Sequence, residues 1–126
     1  MPTVPWPLMR GHIYRFPMRA DDPAKAGAPI SKYAVILQGQ KDFRNKPRVS
    51  VVLATTTLKG IEHPWKVFVP ARTLRCWPAD TLICCEDVYS YLRTQIQAEW
   101  LEPVGVVPHE LMAKVDLALA VSLGLT

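Results

Sequence analysis

The chain has 126 residues, 49% hydrophobic and 21% charged, enough for one compact domain with one core and too few for two. Its formal net charge of +4 and pI near 9.1 suit a phosphate-bearing or acidic partner without requiring one. Charge runs, low-complexity tracts, internal repeats and the roughly 18–20-residue apolar run of a membrane span are all missing, which argues against a disordered tail, a solenoid or a spanning helix.

Residues 1–126 are therefore read as a single domain. Its opening segment, 1–9, contains Pro2, Pro5 and Pro7, which remove backbone donors and favour an extended arm. That segment also lacks the charged and apolar regions of a secretory signal, so a cytoplasmic location is expected. Gly11 to Pro17 alternates in the manner of a strand that Pro17 should end. Met18 to Ser31, with Asp21-Asp22-Pro23, Gly27 and Pro29, reads as a long loop. Lys32 to Gln38 is a short apolar run of the kind buried on both faces of a sheet.

Gly39 to Arg48 is a basic connection that should lead into the strongest strand of the chain, Val49 to Thr57. The first half of that strand is apolar and β-branched; its second half ends on three hydroxyls, Thr55, Thr56 and Thr57. Strand propensity alone accounts for threonine there. Lys59-Gly60 makes a turn, His63-Pro64-Trp65 leads into Lys66 to Val69, and Pro70 closes that strand. Leu82 to Tyr89 is a further strand, Tyr91 to Ala98 a short helix or turn, and Trp100 to Val106 the last strand. Pro108 to Leu123 places Leu111, Val115, Ala118 and Leu119 on one helical face, with Pro108 at N1, Glu110 in the first turn and Gly124 at C′. Five or six short strands and one terminal helix point to a mainly β domain: a barrel with a helix packed on it.

The polar candidates are dispersed. Cys76, Cys84 and Cys85 are odd in number and lack C-x-x-C spacing, so free thiols are expected rather than a zinc site or a disulfide between neighbours. His12, His63 and His109 lie far apart, and neither a metal nor a cofactor is expected. Arg19 and Lys25 in the long loop, with Lys59 and His63 after the threonines, are candidates for a rim that tracks phosphates, and Trp65 for stacking on a base. Solvated charges and a half-buried tryptophan are the commoner outcome for such residues.

Five segments together carry a resemblance: R-G-H-I-Y from Arg10, K-Y-A-V-I-L-Q from Lys32, V-V-L-A-T-T-T from Val51, H-P-W-K-V-F-V-P from His63, and V-G-V-V-P-H-E-L-M-A-K-V-D-L-A-L-A-V-S-L-G-L from Val104. In this order they resemble the MazF/PemK (Kid) toxin family. The resemblance implies an SH3-like barrel with a C-terminal helix, a homodimer, and a metal-independent endoribonuclease toxin that cleaves single-stranded RNA and is restrained by a cognate antitoxin. The implied chemistry uses the 2′-hydroxyl as nucleophile and leaves a 2′,3′-cyclic phosphate and a 5′-hydroxyl. It requires a base, an acid and donors for charge on the phosphoryl group.

Carried over by position, the family's phosphate-side arginine and threonine match Lys32 and Thr57. The segment R-x-D-Q-x-R-T matches Cys84 to Ser90, which retains an acid at Glu86, has Asp87 for the glutamine, and has Cys84 and Tyr89 for the arginines. The resemblance thus implies Lys32, Thr57 and Glu86 as catalytic residues. Neighbouring strand residues point oppositely, so one of Glu86 and Asp87 should face the site, and Glu86 is the choice. The lost arginines favour an alternative, a non-catalytic binding protein on the same barrel. The gyrase-directed activity of CcdB, on a related fold, is a third reading.

Overall fold

The computed structural model describes residues 7–18, 30–38, 47–100 and 102–125. The strands are β1 (His12–Met18), β2 (Ile30–Ile36), β3 (Arg48–Thr55), β4 (Lys66–Val69), β5 (Thr81–Leu92) and β6 (Gly105–Val106). All pair antiparallel in one sheet of order β4-β5-β3-β2-β1-β6, which coils into a half-barrel. A helical turn α1 (Arg93–Gln95), continued by a π-helical turn Ile96–Trp100, follows β5, and helix α2 (His109–Ser122) ends the fold.

Both faces of the sheet carry a core. On one, Ile13, Val35, Val52, Ala54, Val67, Ile83 and Trp77 pack with Met112, Val115 and Ala118 of α2. On the other, Tyr14, Ala34, Ile36, Val49 and Val51 pack with Leu8, Ile96 and Trp100. This is why consecutive residues Ala34, Val35 and Ile36 are all fully buried and why β2 reads as an unbroken apolar run. Leu8 is fully buried as well, so the end of the opening segment is anchored; residues 1–6 of the expected arm lie outside the described residues.

Several element boundaries differ from those expected: β2 runs Ile30–Ile36 rather than from Lys32 to Gln38, β3 ends at Thr55 rather than Thr57, and β5 runs Thr81–Leu92 rather than from Leu82 to Tyr89. β1 runs through Pro17, which pairs with Ser31; β6 pairs with β1 only at His12 and Ile13, so Pro17 lies where β1 is an edge and its missing donor breaks no ladder there. The last strand is two residues long rather than seven. Gly105 permits it: a Cβ there would stand 2.8 Å from Cys76 Sγ.

Helix α2 begins one residue late. Pro108 is its N-cap, at φ −60° and ψ 155°, and supplies no side-chain cap. Its C-terminus is a Schellman motif: Gly124 has φ +72°, and the N–H groups of Leu125 and Gly124 donate to the carbonyls of Ala120 and Val121 at 2.7 and 3.1 Å. Arg10 ties the helix to the sheet, donating to Asp116 and, at 2.7 Å, to the Leu37 carbonyl.

Candidate functional site

The site is built from the ends of three adjacent strands. Tyr33 of β2 pairs with Ala54 of β3, so Lys32 and Thr55 stand one step beyond them at the same end of the sheet. β3 stops at Thr55. Thr57 is therefore on the turn after the strand, where its N–H donates to Thr55 Oγ1 at 3.1 Å. This short hydroxyl-to-backbone link fixes the turn and leaves the Thr57 side chain exposed.

β5 contributes through an irregularity. Val51 pairs with Tyr89 and Leu53 with Cys84, so β3 advances two residues while β5 advances five. The surplus residues bulge out of the ladder, and bulging breaks strict alternation. Glu86 and Asp87 consequently both line the same cavity, against the expectation that only one would. Lys32, Thr57 and Glu86, far apart in sequence, meet around this cavity of about 310 Å³, together with Thr55, Cys84 and Asp87. Its size is at the small end for ligand clefts.

One residue of the site was not foreseen. Lys66, the first residue of β4, pairs across the ladder with Cys84. Its ammonium donates to Glu86 Oε1 and, at 3.4 Å, to Cys84 Sγ. Burial acts to lower its pKa, but the hydrogen bonds to Glu86 and Cys84 and the Glu86 charge outweigh it and leave the pKa raised, so the ammonium stays charged. The Cys84 thiol is pushed up by burial, only partly countered by Lys66; it stands protonated near neutrality and is a poor nucleophile there. The signal for Lys66 in the sequence is a lone charge opening an otherwise apolar strand.

The remaining candidates sit apart. Lys59, His63 and Trp65 lie on the connection from β3 to β4 and do not line the cavity. His63 stacks on Trp65, with ring centroids 4.5 Å apart and planes 10° from parallel, so one face of the indole is already covered. The Trp65 carbonyl accepts the Cys85 N–H at 2.9 Å, which places the pair beside the bulge. Arg19 and Lys25 lie outside the described residues. Among the described residues, no three His, Cys, Asp or Glu side chains gather in a way that could hold a metal ion, and no helix is long and apolar enough to cross a membrane.

Neither a protein-family model nor a curated protein matches the chain in sequence. Solved structures do match in fold. A mycobacterial endoribonuclease in complex with its cognate antitoxin is 23% identical with a TM-score of 0.67, over 94% of this chain and 97% of that one. MazF in a MazE–MazF complex from Deinococcus radiodurans is 16% identical at TM-score 0.68, over 94% and 98%. The Mycobacterium tuberculosis toxin MazF-mt6 is 14% identical at 0.61, over 88% and 96%. The chain has the fold of these MazF toxins along nearly its whole length.

Proposed function

We propose that this chain, which carries the MazF fold, is a metal-independent endoribonuclease toxin acting on single-stranded RNA. The observation that carries the reading is the meeting of Lys32, Thr57 and Glu86 around one cavity. The family resemblance implies Lys32 and Thr57 at the scissile phosphate and Glu86 as the retained catalytic carboxylate, and they come from β2, the turn after β3, and the bulge of β5.

The chemistry then divides among them. Glu86, acting as general base, removes the proton of the ribose 2′-hydroxyl, whose oxygen attacks the adjacent phosphorus. Lys32 and the Thr57 hydroxyl donate to the non-bridging oxygens as charge gathers there. The P–O5′ bond breaks, giving a 2′,3′-cyclic phosphate and a 5′-hydroxyl. The leaving oxygen takes a proton from solvent or from a protonated side chain of the cavity. Lysine offers a point charge instead of arginine's planar fork, so the phosphate is held with less angular definition.

The same reading supplies the partners. MazF toxins of this fold have been solved with MazE, and the mycobacterial endoribonuclease with its cognate antitoxin; an antitoxin is the corresponding partner here. Exposed Leu117, Leu123 and Leu125 at the C-terminal end offer an apolar surface to a second copy in a homodimer. The cytoplasm is the corresponding compartment.

The test is incubation of the pure protein with a long single-stranded RNA in EDTA. Discrete cuts support the reading; RNA that is bound and left intact supports a non-catalytic binding protein instead, the reading favoured by Cys84 and Tyr89 at the family's arginine positions.

A further inference from the structure

We infer that Lys66 is a positioning residue of this cavity, holding the Glu86 carboxylate in place on the bulged strand and neutralising it against an incoming phosphate. The inference rests on the ribonuclease reading and assigns a role to a residue that does not itself line the cavity.

The bulge creates the need. Both ladders that flank β5 stop at Cys84 on this side: the last pair with β4 is Lys66 and Cys84, and the next pair with β3 after Leu53 and Cys84 is Val51 and Tyr89. Glu86 and Asp87 thus project from backbone outside the regular ladder, where a carboxylate has many positions open to it. Lys66 closes off that freedom. Its side chain is 13% exposed, its stem runs from the regular part of β4, and Cys84 Sγ accepts from the same ammonium at 3.4 Å. The lysine is thereby fixed before it reaches Glu86.

Charge gives the second argument. Glu86 and Asp87 face the cavity beside Lys32. Without Lys66 a phosphate would meet two carboxylates and one ammonium; with Lys66 paired to Glu86 the four charges balance. The role is exerted through Glu86, with no contact to RNA.

A double-mutant cycle separates this from a structural role. Lys66→Met keeps the length of the stem and removes the charge. We expect it to slow RNA cleavage about tenfold or more, because a carboxylate on the bulge that has lost its tether is displaced from its working position. Lys66→Arg should recover much of the rate. In the Glu86→Gln background, Lys66→Met should cost nothing further. The inference is overturned if Lys66→Met leaves the rate unchanged, if Lys66→Arg recovers none of a lost rate, or if the cost of Lys66→Met is the same in both backgrounds. A wild-type protein that leaves RNA intact sinks the ribonuclease reading; anisotropy with a fluorescent single-stranded oligonucleotide then judges Lys66 separately. Weaker binding by Lys66→Met, restored in the double variant, supports the neutralising role, and unchanged binding overturns it.

Discussion

The ammonium of Lys66 on β4 and the carboxylate of Glu86 on β5 form an ion pair that crosses between neighbouring strands at the mouth of the bulge. The pair separates two adjacent acids by function. Glu86 is held and charge-compensated, while Asp87 lines the cavity without an ion-pair partner among the described residues. The cavity proposed to take RNA thus holds one paired carboxylate and one without an ion-pair partner among the described residues.

The two proposed phosphate-side donors, Lys32 and Thr57, should be separable from the fold. Thr57 is exposed and off the strand, and Lys32 is only half-buried. Lys32→Ala and Thr57→Ala should each lower the cleavage rate by about 10²–10³-fold, the scale set by loss of one preorganised donor. Melting curves should move little, since exposed positions away from special features change stability by about 0.5 kcal/mol or less.

Asp87 should oppose RNA. At an assumed separation of about 6 Å and an effective dielectric of about 20, a carboxylate repels a phosphate by roughly 3 kcal/mol, an upper figure for an exposed group that solvent screening reduces. Asp87→Asn should tighten binding of a single-stranded oligonucleotide by about 3–10-fold near 0.1 M salt, the gain shrinking toward 1 M as the Debye length falls to about 3 Å. Binding isotherms at the two salt concentrations check both parts.

Gly105 should tolerate a side chain only if Cys76 yields. A Cβ at Gly105 meets Cys76 Sγ at 2.8 Å, with Ile13 Cδ1 at 3.6 Å behind it, so Gly105→Ala should destabilise by about 1–3 kcal/mol through overpacking. Cys76→Ala removes the obstructing sulfur. Urea unfolding of the four proteins in the cycle should show the cost of Gly105→Ala largely abolished in the Cys76→Ala background.

Alkaline stability should report Tyr14. Its ring is fully buried, its hydroxyl has no hydrogen-bond partner among the described residues, and burial pushes its pKa from 10.0 up to about 12. A raised folded pKa means that stability is intact below pH 10 and is lost as pH rises toward 12, by about 1.4 kcal/mol per pH unit. Cys85, pushed from 9.0 to about 12 chiefly by burial, begins the decline about one unit lower. Tyr14→Phe should remove the tyrosine's share of the slope. It should also stabilise the protein at neutral pH by about 1 kcal/mol, because an unsatisfied buried hydroxyl is gone. Denaturant titrations from pH 7 to 11 measure both.

Elements governed by local pattern were legible in the sequence, and features governed by pairing were not. The apolar runs of β2 and β3, the short K-V-F-V strand and the face of α2 with Val115 and Ala118 each bury what their periodicity predicts, and Gly124 caps the helix as its lack of a Cβ allows. Local pattern makes Pro17 a terminator, because the sequence does not say that β1 is an edge at that point. The shared orientation of Glu86 and Asp87 follows from a register slip against β3, which no periodicity in β5 announces. Lys66 was invisible as a site residue for the same reason: its partner lies across a ladder, twenty residues away. Only family resemblance points to Lys32, Thr57 and Glu86 in the sequence, and their common cavity is a result of the fold.

The most direct measurement is the chemistry of the ends produced from a long single-stranded RNA incubated with the protein in EDTA. The account predicts cuts at discrete positions, with 5′-hydroxyl ends that accept a phosphate from a kinase without prior dephosphorylation and 2′,3′-cyclic phosphate on the upstream fragments. Both should be lost in Lys32→Ala and Thr57→Ala. Intact RNA, or cuts with 5′-phosphate ends that persist in those two variants, would contradict it.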